Sequence, residues 1–286
     1  AISACEKCSL WDRALGLFAD LHQHGLRPDV IAHDAAISAC GRDARWERAA
    51  QLLEELRGSE VEPIVISFNA AISACERPQE WERALQLFRS MQEEGIKPSA
   101  ITCNALISVC EKSRQWERAL QVLASMWLRG PRPDVVTYSA AISACEKCSL
   151  WDRALGLFAD LHQHGLRPDV IAHDAAISAC GRDARWERAA QLLEELRGSE
   201  VEPIVISFNA AISACERPQE WERALQLFRS MQEEGIKPSA ITCNALISVC
   251  EKSRQWERAL QVLASMWLRG PRPDVVTYSA AISACE

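Results

Sequence analysis

The chain has 286 residues, of which 48% are hydrophobic and 25% are charged, proportions that are ordinary for a folded protein. Its net charge of −7 argues against a protein that coats polyanions indiscriminately, although it leaves room for a local basic stripe. No apolar run approaches the ~20 residues of a membrane span.

Two internal periods dominate the sequence. Residues 141–286 are identical to residues 1–146, and a 35-residue period runs inside this duplication. A fixed period between 20 and 50 residues is typical of solenoids, in which each unit buries its apolar face only against its neighbours. The period is most visible in Trp11, Trp46, Trp81, Trp116, Trp151, Trp186, Trp221 and Trp256. We therefore expect one continuous stack, with a functional surface presented once per repeat.

This period divides the chain into a partial repeat at 1–29, seven full repeats and a final partial repeat at 275–286, all within a single solenoid spanning 1–286. The full repeats are 30–64, 65–99, 100–134, 135–169, 170–204, 205–239 and 240–274. Both partial repeats interrupt the first helix of a unit and lack a polar capping helix, so we expect the chain to be a section of a longer array.

Each unit contains two one-sided apolar stripes at helical spacing. In the unit 65–99, the first stripe predicts a helix over about 68–76 and the second predicts a helix over about 79–94. Gly95 is placed to end the second helix, and Pro98 blocks its continuation. The fold class predicted is all-α, with about sixteen helices in helix-turn-helix units. The Trp that opens each second helix is predicted to be a core residue.

The unit 30–64 and its copy 170–204 depart from this pattern. Gly58 is placed to end the second helix early, and Ile64 replaces the polar last residue of the other units. His33 occupies the place of Phe, Tyr or Cys in other units, which predicts a packing role.

Nine of the thirteen Cys fall on the 35-residue period within apolar stretches such as AISAC. They are predicted to be small core residues kept reduced in an intracellular compartment. The pairs Cys5/Cys8 and Cys145/Cys148 are isolated C-x-x-C motifs. A structural zinc site needs four ligands and no second pair lies at a suitable spacing, so neither a metal nor another cofactor is predicted.

The stretch VVTYSAAISACEKCSLWDRALGLFADLHQHGLRPD at 135–169 resembles the pentatricopeptide repeat family, P-type, in its length, its V-V-T-Y-S opening, its A-L-x-L-F second helix and its G-L-R-P-D ending. The resemblance covers the whole chain. It implies a right-handed superhelical α-solenoid that binds single-stranded RNA, one base per repeat, in parallel orientation. It also implies a mitochondrial or chloroplast location and a role in organellar RNA processing, stability, editing or translation.

The resemblance assigns base reading to the fifth and last residues of a unit, and base sandwiching to the aliphatic second residue. The reading pairs are Asn69 with Ser99, Asn104 with Asp134, Ser139 with Asp169, Asn209 with Ser239, and Asn244 with Asp274. Two pairs, Asp34 with Ile64 and Asp174 with Ile204, are expected to discriminate little between the four bases. The sandwiching residues are Ile31, Ile66, Ile101, Val136, Ile171, Ile206 and Ile241.

Positions 2, 5, 9 and 13 of a unit share one edge of its first helix because they lie at helical spacing. Position 13 is basic in every repeat that contains it, which points to phosphate contact by Lys7, Arg42, Arg77, Lys112, Lys147, Arg182, Arg217 and Lys252. The alternative is that these are solvated helix ends, where basic side chains suit the helix dipole.

The sequence shows no catalytic constellation, phosphate-binding glycine loop or nucleophile elbow, so we predict no enzyme, no small-molecule substrate and no membrane association. The competing interpretation is a protein-binding α-solenoid scaffold without RNA specificity, with other proteins as partners. The identical halves leave open a third interpretation, in which the chain is a designed or recent duplication that has no selected target.

Overall fold

A computed structural model of the protein describes residues 2, 10–42, 45–59, 63–76, 79–182, 185–199, 202–216 and 220–286, except for the side chains of Arg42, Arg182 and Arg269. Within these residues the chain forms sixteen α-helices and no strand, so the all-α prediction is confirmed. No helix in these ranges combines the length and the apolarity that crossing a membrane requires.

The helices alternate between two kinds along the chain. The second helices of the units, called B helices here, begin at the periodic Trp: α1 (Trp11–Gln23), α3 (Trp46–Arg57), α5 (Trp81–Glu93), α7 (Trp116–Arg129), α9 (Trp151–Gln163), α11 (Trp186–Arg197), α13 (Trp221–Glu233) and α15 (Trp256–Arg269). The first helices, called A helices, are α2 (Val30–Arg42), α4 (Val65–Ala74), α6 (Ala100–Lys112), α8 (Val135–Lys147), α10 (Val170–Arg182), α12 (Val205–Ala214), α14 (Ala240–Lys252) and α16 (Val275–Ser283).

The chain forms two compact units, Ala1–Ala144 and Cys145–Glu286. Within each of them, A helices pack against the A helices of neighbouring repeats, for example α2 on α4 and α12 on α14. The B helices α3, α5, α11, α13 and α15 each pack against both the A helix that precedes them and the A helix that follows, and among the helices described within each unit no B helix packs directly on another. The repeats therefore build a layer of A helices covered by a layer of B helices.

The core between the two layers combines small side chains from the A helices with leucines from the B helices. Ala36, Ile37 and Cys40 of α2 are buried together with Leu52 and Leu53 of α3. The core prediction is confirmed for seven of the periodic cysteines, which are buried: Cys40, Cys75, Cys110, Cys145, Cys180, Cys215 and Cys250. Cys285 is exposed instead, because it follows α16, which packs only against α14 and α15. Cys5 and Cys8 lie outside the described residues.

Two predicted helix starts are wrong by two or three residues. Helix α4 begins at Val65 because Ile64 is extended, with a φ of −115°, and the Ser67 hydroxyl accepts the Ile64 N–H at 3.3 Å. Helix α5 begins at Trp81 because Gln79 has a φ of 64°, in the left-handed region. The predicted ends of the B helices are confirmed, since α5 stops at Glu93 before Gly95, with a φ of 75°, and α3 stops before Gly58. Helix α4 ends at Ala74, two residues before its predicted end, with Cys75 as its C-cap.

The tryptophans are half-buried rather than fully in the core. Trp186 and Trp221 pack against the core from one side, while Trp256 is 50% exposed. The outer ring faces are covered by arginines from the start of the following B helix: Arg45 over Trp11, Arg118 over Trp81, Arg185 over Trp151, Arg223 over Trp186 and Arg258 over Trp221. The packing prediction for His33 is confirmed, because the ring is buried edge-on against Phe18 at 4.9 Å.

Candidate nucleic-acid interface

A groove of about 550 Å³ runs across α10, α12 and α14, within the A-helix layer. Its walls contain the second, fifth, ninth, twelfth and thirteenth residues of neighbouring repeats. They are Ile206 and Ile241, Asn209, Ser178 and Ser213, Gly181 and Glu216, and Lys252. The structure therefore brings together, in one groove, the positions that the sequence places on one helix edge.

The second residue of every full repeat is an apolar side chain left in solvent. These side chains are between 57% and 70% exposed, although each is β-branched and hydrophobic: Ile31, Ile66, Ile101, Val136, Ile171, Ile206 and Ile241. A regular series of exposed apolar side chains marks a surface that is suited to contact a partner.

In the two repeats that have Asn at the fifth position and Asp at the last, these two residues contact each other. Asn104 Nδ2 donates to Asp134 Oδ1 at 3.2 Å, and Asn244 Nδ2 donates to Asp274 Oδ1 at 3.3 Å. Each Asp is also the N-cap of the next A helix, since Asp134 Oδ1 accepts the Thr137 N–H at 2.8 Å. Capping of the next A helix therefore holds the Asp134 carboxylate next to the Asn104 amide.

The Asp134 carboxylate is held in its ionised form. Burial would raise its pKa, but hydrogen bonds from the Thr137 N–H, the Thr137 hydroxyl and the Asn104 amide outweigh burial and lower the pKa below its ordinary value. The pKa of Asp274 is lowered as well, first by the Thr277 N–H and then by the Thr277 hydroxyl. A carboxylate of this kind can only accept hydrogen bonds.

In the repeats that end in Ser, the last residue again caps the following helix. Ser99 Oγ accepts the Thr102 N–H at 3.2 Å, and Ser239 Oγ accepts the Thr242 N–H at 3.2 Å. Each Ser hydroxyl also lies 3.0 Å from the Thr hydroxyl, where either oxygen can be the donor. A Ser at this place can therefore donate a hydrogen bond, which the Asp134 carboxylate cannot.

Ser139 and Asp169 differ from the other predicted pairs. Ser139 is buried, and its hydroxyl donates to the Val135 carbonyl of the same helix at 2.8 Å. Asp169 caps α10 by accepting the Ala172 N–H at 2.8 Å. Ser139 belongs to the first compact unit and Asp169 to the second.

Asp34 and Asp174 carry carboxyl groups in less polar surroundings. Asp174 Oδ1 accepts the Ser207 hydroxyl at 2.5 Å, yet burial raises the pKa of Asp174 to about 6. Burial raises the pKa of Asp34 in the same way. Their partners Ile64 and Ile204 are half-exposed and have no hydrogen-bonding group to present.

The basic residues at position 13 lie beside acidic ones. Lys112 pairs with Glu111 at 3.5 Å, and Lys252 pairs with Glu216 of the preceding repeat at 2.5 Å. Lys147 is half-buried. The side chains of the remaining five, Lys7, Arg42, Arg77, Arg182 and Arg217, lie outside the described part of the structure. Phosphate contact by the position-13 side chains stays a prediction. At Lys112 and Lys252 an RNA phosphate would compete with a glutamate for the lysine.

Two kinds of residue at this edge, at positions 12 and 3 of a repeat, were not predicted from the sequence. Glu76 and Glu216, at position 12, accept a hydroxyl from position 9 of the next repeat, through Ser108 and Ser248 at 3.0 Å. The third residue of a repeat, such as Thr102, donates a hydrogen bond from its hydroxyl to the fifth residue of the repeat before it, here Asn69. The signal in the sequence was a Ser or Thr 33 residues after each Asn or Asp at position 5.

The family profile of the pentatricopeptide repeat domain matches most of the chain, at residues 16–77, 86–147, 156–217 and 226–286. The profile of the single repeat matches at 66–96, 136–166 and 206–236. Among proteins of curated function, none matches the chain significantly.

Several solved structures are similar to the chain. The pentatricopeptide repeat protein PPR10 from maize is 24% identical over 99% of this chain, with a TM-score of 0.45, and the chain spans 50% of its length. The repeat domain of Arabidopsis thaliana protein-only RNase P 1, solved in complex with tRNA, is 16% identical over 60% of this chain and 90% of its own, with a TM-score of 0.52. Nuclear protein-only RNase P 2 of A. thaliana is 14% identical over 63% of this chain and 40% of its own, with a TM-score of 0.54.

Proposed function

Since the chain belongs to the pentatricopeptide repeat family, we propose that it binds single-stranded RNA in the A-helix groove, with one base at each full repeat. The observation that carries this proposal is the pairing, repeat after repeat, of an exposed aliphatic second residue with a hydrogen-bonding fifth residue. An aliphatic side chain fits the face of an unstacked base, while amides, hydroxyls and carboxylates recognise its Watson–Crick edge.

The base preferences follow from the donors and acceptors at the last residue. Uracil offers a donor at N3, which suits the carboxylates of Asp134 and Asp274, whereas cytosine offers an acceptor at N3, which suits the hydroxyls of Ser99 and Ser239. The Ser139/Asp169 pair is assigned to G by resemblance to the family pattern. The Asp34/Ile64 and Asp174/Ile204 pairs leave their bases unspecified. The proposed site is 5′-N-C-U-G-N-C-U-3′.

The setting that we propose is organellar RNA processing, stability, editing or translation. It rests on family membership alone. The tRNA complex described for the related repeat domain is a property of that protein and supports RNA as the class of ligand to test first.

Replacing Ser99 and Ser239 by Asp tests base reading directly. Asp is as good an N-cap as Ser, so the helix starts should survive the change. We expect the preference at the second and sixth bases to move from C to U, with each mismatch costing about 1–2 kcal/mol. Affinities for the four RNAs that carry C or U at these two bases measure the shift.

The matched control places the same charges elsewhere, by replacing Ser125 and Ser265, which lie on B helices, with Asp. This variant should keep the preference for C. If the Ser99/Ser239 variant still selects C, or if the unmodified protein does not distinguish the site from a scrambled RNA, base reading fails and a protein-binding scaffold becomes the better explanation.

A further inference from the structure

Six hydroxyl side chains of the A helices are completely buried. They occupy the third position of every described repeat that has a Ser or Thr there: Ser67, Thr102, Thr137, Ser207, Thr242 and Thr277. A buried hydroxyl has to place its single hydrogen on an acceptor within the protein, because leaving it unpaired costs free energy.

In five of these six repeats the acceptor is the fifth-residue side chain of the preceding repeat: Asp34, Asn69, Asn104, Asp174 or Asn244. Thr137 Oγ1 accepts the Asp134 N–H at 3.1 Å and lies 2.6 Å from Asn104 Oδ1 and 2.8 Å from Asp134 Oδ1. Thr277 makes the same contacts with Asn244 and Asp274. The hydroxyl hydrogen therefore lies between the amide carbonyl and the carboxylate.

This contact fixes which end of the amide the groove presents. The two ends of an Asn side chain have nearly the same shape but opposite hydrogen-bonding character. With Oδ1 occupied by Thr137, the Asn104 amide offers only its NH₂, of which one hydrogen points to Asp134. The other can donate to an acceptor on the base, and O2 is the acceptor next to N3 in both uracil and cytosine.

The sequence shows the same link between the fifth residue of a repeat and the third residue of the next. Where the fifth residue is Asn or Asp, the residue 33 places later is Ser or Thr. Where the fifth residue is Ser139, the residue 33 places later is Ala172. Ser139 needs no such partner because its hydroxyl already donates to Val135.

One repeat shows what happens when the contact is absent. Thr242 lies 3.0 Å from the Ser239 hydroxyl, and Asn209 Oδ1 is buried without a hydrogen-bond partner. In the identical repeat of the other copy, Thr102 donates to Asn69 at 2.6 Å. The Ser hydroxyl lies 3.0 Å from the Thr hydroxyl in both copies. The repeats of Asn104 and Asn244 give the cleaner test, because both copies keep the contact between Thr and Asn there.

We propose that the third residue of a repeat is a positioning residue for specificity: its hydroxyl holds the amide of the preceding repeat's fifth residue with the NH₂ group facing the base. This rests on the proposed function, and it adds a third residue, from the neighbouring repeat, to the pair that reads each base. The residue itself does not touch RNA.

The duplication supplies the experiment with an internal control. Thr137→Val removes the hydroxyl that faces Asn104, and Thr277→Val removes the one that faces Asn244. With the RNA 5′-ACUGACU-3′ and variants that carry G in place of U at the third or the seventh base, Thr137→Val should abolish a roughly tenfold preference for U over G at the third base and keep it at the seventh, because guanine presents an NH₂ donor where uracil presents O2. Thr277→Val should do the reverse, and Thr→Ser at either position should retain both preferences.

Other results would overturn the proposal. If both preferences survive in the Val variants, the hydroxyl has no positioning role. If both fall together with a lower melting temperature by circular dichroism, its role is only to cap the helix. Should Thr137→Val fail to fold, Thr277→Val in the last helix carries the test. An unmodified protein without preference for U would instead overturn the proposed function itself.

Discussion

At the scale of single residues, Asp174 shows how burial and hydrogen bonding compete. The Ser207 hydroxyl favours its ionised form, but burial has the larger effect and raises the pKa to about 6 from 3.8. Between about pH 4 and pH 6 the folded state therefore binds more protons than the unfolded state. Stability should fall as pH rises through this window.

Asp174→Asn should remove this loss because Asn keeps the acceptor for Ser207 without a charge to desolvate. At pH 7.5 the variant should be more stable than the unmodified protein by about 1–2 kcal/mol, after allowance for the partial exposure of the group. Near pH 4 the difference should vanish. Urea unfolding across this pH range measures it, and equal stability of the two proteins at every pH would contradict the pKa shift. Asp34→Asn should act in the same direction.

At the level of helices, the period, the apolar stripes and the turn residues were sufficient to predict sixteen helices and the ends of the B helices at Gly58 and Gly95. The predicted starts failed at Val65 and Trp81 because they depend on backbone conformation at Ile64 and Gln79, which composition does not reveal. The contact between Thr137 and Asn104 could not be predicted either. It needs the orientation of two helices as well as the spacing of their residues.

The A helices rely on small buried side chains, and their cysteines give a direct measure of that packing. Burial raises the pKa of Cys75 and Cys215 to about 12, and that of Cys40, Cys110 and Cys250 to about 11. Since the thiolate is the reactive form, these cysteines should be inert at neutral pH.

Thiol labelling tests this packing. In a variant with Cys5, Cys8 and Cys148 replaced by Ala, a disulfide reagent at pH 8 should modify Cys285, which is exposed, within minutes. The remaining thiols should react only after denaturation in guanidinium chloride. Rapid modification of further thiols in the native protein would show that the A-helix layer opens more readily than its burial indicates.

The acidic chain carries one basic residue at position 13 of every repeat that contains this position, and two of these residues, Lys112 and Lys252, are paired with glutamates. If about six to eight of the position-13 residues contact phosphates, with about 0.7 ions released per contact, the log–log slope of affinity against salt should be roughly −4 to −6. The pairs of Lys112 with Glu111 and of Lys252 with Glu216 oppose this, because phosphate has to displace a carboxylate.

Replacing Lys112 and Lys252 by Ala should flatten the salt slope by about 1.4 and weaken binding to every RNA sequence alike, if both lysines contact phosphate. Glu216→Gln should strengthen binding at low salt without changing base preference, since it frees Lys252 from its partner. Lys97 and Lys237, which lie in loops, provide the control pair, and their replacement by Ala should leave the slope nearly unchanged. A slope that is equally insensitive to Lys112 and Lys252 would mean that both lysines serve only their glutamates. The RNA backbone would then be held by the remaining position-13 residues or by none of them.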